Sequence, residues 1–78
     1  MTAQIELVRP APGELVETFP IRMENGTTYH ATLHRTQRHG GRRVIVREMT
    51  SGAVLFDTDD CYDAANALNK LDQWLTGL

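Results

Sequence analysis

The sequence predicts an α+β fold, an antiparallel β-meander of about four strands packed against one C-terminal α-helix. Residues 19–57 alternate apolar and polar side chains between short turn signals, which is typical of strands. Residues 60–76 instead carry apolar side chains at steps of three and four, which is the spacing of a helix. At 78 residues, the chain is expected to form one small domain.

Residues 1–18 are expected to form an N-terminal arm or an edge strand, because the Pro-rich stretch 10–13 interrupts any longer strand. The first clear strand begins at Phe19 and alternates through Ile21 and Met23. Asn25-Gly26 follows and predicts a tight hairpin with a type I′ turn.

The second strand places Tyr29, Ala31 and Leu33 on one face. A glycine-containing loop at 37–41 leads to a third strand over 43–49, whose apolar residues on both faces indicate a central position. A turn at 50–52 then precedes the last strand, 53–56.

The predicted helix has one apolar face, formed by Cys61, Ala64, Leu68, Leu71, Leu75 and Leu78 and widened by Trp74 and Ala67. Its N-cap is expected among Thr58, Asp59 and Asp60. The predicted core joins this face to the strands: Trp74, Leu71, Leu68, Leu75, Phe56, Val54, Tyr29, Leu33 and Ile21.

Composition indicates the cellular compartment of the protein and its relation to membranes. The single cysteine cannot form an internal disulfide, and a buried, reduced thiol is expected, which favours a reducing compartment. No apolar run approaches the roughly 18 residues that span a bilayer. We therefore expect a soluble, cytoplasmic protein without a membrane partner.

Charge is unevenly distributed, although the net charge is only −2. A basic hairpin tip is predicted as the partner-binding site, and it comprises Arg35, Arg38, His39, Arg42 and Arg43. A secondary acidic patch follows and comprises Asp57, Asp59, Asp60 and Asp63. The domain is thus expected to have a positive end and a negative end. Such a tip can bind an acidic protein surface or phosphates, or it can simply be a solvated loop.

No set of residues suggests catalysis, a metal site or a cofactor. His30 and His34 are four residues apart, which on a strand separates them by about 13 Å. The aspartates lack the ligand spacing of a calcium loop, and helix capping explains them without a ligand. We therefore expect a protein that is not an enzyme.

Two stretches resemble small phage-encoded type I anti-CRISPR proteins. They are Glu24-Asn25-Gly26, which opens a strand, and Leu71-Asp72-Gln73-Trp74-Leu75-Thr76-Gly77-Leu78, which closes the helix. The resemblance implies a stoichiometric inhibitor that binds a subunit of an RNA-guided surveillance complex and prevents target DNA from pairing. The chain departs from that family at Met23 and His34, so no binding residue is transferred.

The function that follows is a non-enzymatic protein-binding module, most concretely a phage or mobile-element inhibitor of a CRISPR-Cas surveillance complex. One alternative is a nucleic-acid-binding module that uses the basic hairpin tip 35–43. Another is a structural subunit of a larger assembly, in which the chain would form a homodimer or higher oligomer.

Overall fold

A computed structural model describes residues 11–78, so the expectation for residues 1–10 lies outside the described residues. Four strands form one sheet in the order β1-β2-β3-β4, and every neighbouring pair is antiparallel. The elements are β1 (Leu15–Arg22), β2 (Thr28–Arg35), β3 (Arg42–Glu48), β4 (Val54–Asp57) and α1 (Ala64–Thr76). The predicted fold class is confirmed. Within residues 11–78, no helix has the length and apolar character needed to cross a membrane.

The first strand begins at Leu15, four residues before the predicted start. The pairing of β1 with β2 shifts at Val16, because Leu15 is opposite His34 whereas Glu17 is opposite Leu33. A β-bulge of this kind inserts one extra residue and breaks the alternation of faces. The sequence pattern therefore becomes regular only beyond the bulge, where Phe19 begins the predicted strand.

The turn between β1 and β2 is longer than the predicted type I′ turn. It spans residues 23–27, and Gly26 alone among them has a positive φ, of 89°. The Met23 and Gly26 amides donate to the carbonyls of Thr27 and Met23, at 2.8 and 3.0 Å. The Asn25 side chain accepts from the Thr27 amide at 2.9 Å. Asn25 thus acts through its side chain, and only the glycine needs a left-handed conformation.

The sheet face that packs against α1 is called the inner face, and the opposite face is called the outer face. Val44 and Val46 are fully buried at the centre of the inner face, and Ala67 and Leu71 of α1 belong to the same core cluster. Trp74 stacks on Phe56 with ring centroids 5.0 Å apart and planes inclined by 7°. This aromatic pair closes one side of the core.

The prediction that Leu68 and Val54 lie in the core is wrong. Leu68 is 44% exposed and Val54 is 56% exposed. A helix of 13 residues on a four-stranded sheet makes its main contacts with β3, so the flank of α1 that carries Leu68 stays uncovered. In β4 the pairing shifts beyond Phe56, which sets Val54 opposite Arg47 on the outer face. The small residues Ala31 and Ala67, both at 0% exposure, instead allow sheet and helix to approach closely.

The helix also begins later than predicted. Asp63 is the N-cap, and its carboxylate accepts from the Asn66 amide at 2.8 Å. Cys61 is therefore not on the helix but pairs with Arg42 through backbone hydrogen bonds of 2.8 and 3.2 Å. The segment after β4 continues beside β3, held there by these bonds and by the Thr58 amide, which donates to the Val44 carbonyl at 3.0 Å. Cys61 is nevertheless buried, as a free thiol.

Candidate partner-binding surface

The β2–β3 loop, residues 36–41, forms a compact hairpin tip. The Thr36 amide donates to the Gly41 carbonyl at 3.2 Å, and the Gly41 amide donates to the Arg38 carbonyl at 2.9 Å. A Cβ atom on Gly41 would lie 2.0 Å from Thr36 Oγ1 and 3.1 Å from the Arg38 carbonyl oxygen, so a side chain here would displace the Thr36 hydroxyl. The fold directs the exposed residues Arg38 and His39 away from the core.

Arg38 is supported by an aromatic ring that the sequence did not identify. Its guanidinium carbon lies 4.1 Å from the centre of the Tyr62 ring, a cation–π contact. Tyr62 is 62% exposed. The whole of β3 and β4 lies between the two residues in the sequence, and they meet only because residues 58–61 return beside β3. No sequence signal could have found this pair.

The other tip arginines differ in their surroundings. Arg42 is half-buried, and its Nη1 donates to the Gly41 carbonyl at 2.8 Å. Arg35 lies 3.9 Å from the Glu14 carboxylate, and both side chains are more than half exposed. Such a pair contributes roughly 0–1 kcal/mol. Within residues 11–78, neither Arg38 nor Arg42 forms an ion pair.

Arg43 is buried and is not part of the accessible tip, so its role in partner binding stays a prediction. It alternates with Arg42 along β3 and points to the outer face, where it binds Asp57. Arg43 Nε donates to Asp57 Oδ1 at 2.9 Å, and Nη2 donates to Oδ2 at 2.5 Å. The two side chains are 5% and 8% exposed. The hydrogen bond to Asp57 raises the pKa of Arg43, so the guanidinium stays charged in this bidentate contact.

The acidic residues do not form one patch. Asp57 is paired with Arg43, and Asp63 caps α1. The Asp59 amide donates to Asp57 Oδ1 at 2.9 Å, and Asp59 has a φ of 59°. Asp59 and Asp60 remain exposed. Because this segment runs beside β3, acidic and basic residues are neighbours, and the expectation of separate positive and negative ends is wrong.

The histidines and the cysteine are held in separate places. His34 is 7% exposed, with Nδ1 3.1 Å from the Gly13 carbonyl and Nε2 2.8 Å from Thr32 Oγ1. The Cys61 thiol donates to the Asp59 carbonyl at 3.4 Å. In the part of the chain that the structure describes, no three His, Cys, Asp or Glu side chains are grouped to hold a metal ion.

Since a carbonyl only accepts, His34 must carry its proton on Nδ1 to bond Gly13. This histidine therefore joins β2 to the segment before β1 and has a structural role. The remaining candidate surface, called the tip surface below, consists of Arg35, Arg38, His39 and Arg42 together with Tyr62.

Comparisons of this chain with protein-family models, with curated proteins and with solved structures found no match.

Proposed function

We propose that this protein is a non-enzymatic binding module whose tip surface contacts an acidic patch on a partner protein. The observation that carries the proposal is the state of Arg38. Its guanidinium lies on the Tyr62 ring, and no carboxylate in residues 11–78 is paired with it. An arginine held in this way keeps its donors for a carboxylate on another molecule.

The rigidity of the tip loop and of Arg38 supports this proposal. The tip loop has internal backbone bonds, and the ring contact limits the rotamers of Arg38. A side chain that is ordered before binding loses less entropy in the complex, by about 0.5–1.5 kcal/mol for a long side chain. Arginine and tyrosine are also the residue types that contribute most often to binding hot spots.

The most concrete partner comes from the resemblance of residues 24–26 and 71–78 to small type I anti-CRISPR proteins. On that basis we propose a subunit of a CRISPR-Cas surveillance complex as the partner, bound stoichiometrically in the host cytoplasm. Surfaces that hold guide RNA and target DNA are basic, so the tip surface would fit an acidic protein surface elsewhere on the complex.

The test is capture of a purified surveillance complex, and of proteins from a host lysate, by the immobilised protein. Arg38→Glu/Arg42→Glu should abolish capture, because the reversed charges repel an acidic patch. Lys70→Glu changes the charge of an exposed helix residue away from the tip and should leave capture intact. If the native protein, Arg38→Glu/Arg42→Glu and Lys70→Glu all capture the partner equally, the tip surface has no part in the function. Light scattering on the same samples would detect a homo-oligomer, as the structural-subunit alternative requires.

A second candidate function is nucleic-acid binding, and the exposed Tyr62 ring beside Arg38 favours it. Proteins that bind single strands combine arginines with aromatic rings on which bases stack. Titration with single-stranded and duplex oligonucleotides at two salt concentrations tests this candidate, because phosphate contacts weaken steeply as salt rises. Tyr62→Ala should reduce single-strand binding more than duplex binding. Absence of binding at low salt would exclude the candidate.

A further inference from the structure

The chain before β1 crosses the outer face of the sheet. The Glu14 carbonyl accepts from the amide of Arg35, at the end of β2, at 2.8 Å. The Gly13 carbonyl lies 3.1 Å from Nδ1 of His34, which is on the outer face of β2. A Cβ atom on Gly13 would collide with the Arg35 carbonyl, so glycine lets the chain pass this close to the sheet. Traced backward from β1, the chain therefore runs over β2 toward β3.

Ala11 and Pro12 continue this path to β4. They line an open groove of about 530 Å³ on the outer face. The groove is also lined by Arg43, Ile45 and Arg47 of β3 and by Val54, Leu55, Phe56 and Asp57 of β4. Within residues 11–78, Val54 and Leu55 stay 56% and 42% exposed. The described part of the chain thus begins at a groove whose β4 side is aliphatic and uncovered.

The segment before Ala11 fits this groove in length and composition. Its apolar residues are Ile5, Leu7 and Val8. Ten residues span about 33 Å when extended and the four residues of β4 span about 13 Å, so the segment is long enough to follow β4. A tethered segment also has a high effective concentration at the groove, which a separate molecule would have to match.

The order of side chains in this segment indicates which of them face the groove. Arg9 and Ala11 each precede a proline, and a residue before proline favours an extended backbone. Side chains alternate between the two sides of an extended chain. Ile5, Leu7 and Arg9 therefore share the side of Ala11, which lines the groove, and Val8 is on the opposite side.

Charge complementarity indicates where Arg9 binds. Ala11 also lines a smaller pocket with Asp60, and two extended residues span about 7 Å. Asp59 and Asp60 are exposed, and both follow β4 in the chain. Arg9 can therefore reach these carboxylates, and the apolar residues that precede it then lie along β4.

We propose that residues 5–9 of this chain bind in the groove as a strap. Leu7 and Ile5 pack on the exposed aliphatic side chains of β4, and Arg9 pairs with the carboxylates that follow β4. An edge strand that exposes aliphatic side chains is prone to associate with other chains, and the strap protects β4 from this association. The inference is independent of the tip surface.

The test is nuclear magnetic resonance of the 78-residue protein with labelled Ile, Leu and Val methyl groups. Nuclear Overhauser cross-peaks are expected from the methyl groups of Ile5 and Leu7 to those of Val54 and Leu55. A mixture of labelled and unlabelled protein separates contacts within one chain from contacts between two chains. Absence of the cross-peaks would overturn the inference, and so would cross-peaks that arise only between chains.

Variants of the strap provide a second measurement. Leu7→Asp should abolish the cross-peaks from Ile5 to β4, because a carboxylate is not accommodated among aliphatic side chains. Val8→Asp, on the opposite side of the segment, is the matched control and should retain them. Arg9→Glu should abolish them by charge repulsion, and Arg9→Lys should retain them. Retention in Leu7→Asp, or equal loss in Leu7→Asp and Val8→Asp, would contradict the proposed orientation of the strap. Arg38→Glu should leave the cross-peaks unchanged, so failure of the strap is distinguishable from failure of the tip surface.

Discussion

Replacement of Arg43 by alanine is expected to destabilise the domain severely. Asp57 is 8% exposed, and the substitution would remove its bidentate partner while leaving the carboxylate buried. Breaking a buried ion pair by removal of one partner costs about 3–5 kcal/mol. A domain of 78 residues has a free energy of unfolding of about 4–12 kcal/mol, from roughly 0.05–0.15 kcal/mol per residue. The loss expected for Arg43→Ala is thus a large part of the free energy of unfolding.

The Arg43–Asp57 pair can also be removed as a whole. Arg43→Met/Asp57→Leu takes both charges out of the interior, so it should be less destabilised than Arg43→Met alone. It would still lose the bond from the Asp59 amide to Asp57 Oδ1, at a cost of about 1 kcal/mol. The hydrogen bond to Asp57 raises the pKa of Arg43, so the guanidinium keeps its charge throughout the ordinary pH range.

Urea unfolding followed by far-ultraviolet circular dichroism and by Trp74 fluorescence would measure these effects. Trp74 stacks on Phe56, the neighbour of Asp57, so its emission reports on this region. Arg43→Lys keeps the charge with fewer directed donors and should lie between the native protein and Arg43→Ala. A loss below about 1 kcal/mol for Arg43→Ala, with an unchanged urea slope, would refute the assignment of a buried pair.

Three further outcomes are expected. Hydrogen bonds from Ser51 lower the pKa of Glu48 from 4.5 to about 2, so this contribution to stability is present above about pH 4.5 and is lost as the pH falls toward 2. In Glu48→Gln, the free energy of unfolding measured with urea should depend less on pH between about pH 2 and pH 5. The same pH dependence as in the native protein would contradict this role of Glu48. Asp63→Ala should cost about 1 kcal/mol in thermal or urea unfolding, whereas Asp63→Ser should cost less, because serine retains the cap. Leu71→Ala should cost about 2–5 kcal/mol and the matched Leu68→Ala under about 1 kcal/mol; equal losses would argue against the observed packing of α1.

Local sequence pattern was sufficient for the type and order of the elements. The alternation in 19–57 and the helical spacing around Leu71 each depend on residues close in the chain, so the four strands and the helix could be predicted. The boundaries were less predictable. The bulge at Val16 concealed the start of β1, and pairing of Cys61 with Arg42 competed with the first turn of the helix.

The candidate site was likewise predictable in part from the sequence. Sequence alone placed Arg35, Arg38, His39 and Arg42 at a basic hairpin tip, because glycines and charged residues cluster between two strands. It could not separate Arg42 from Arg43, since two adjacent arginines look alike until a strand sends them to opposite faces. It also could not pair Arg38 with Tyr62.

The sequence by itself determined that this chain folds as a meander with one terminal helix, since apolar periodicity selects the elements. Only the tertiary structure decided which charges remain on the surface. Pairing of β4 with β3 places Asp57 against Arg43, and the segment after β4, which continues beside β3, brings Tyr62 under Arg38. Contacts between residues distant in the chain depend on how the whole sheet is assembled, and no local pattern specifies them.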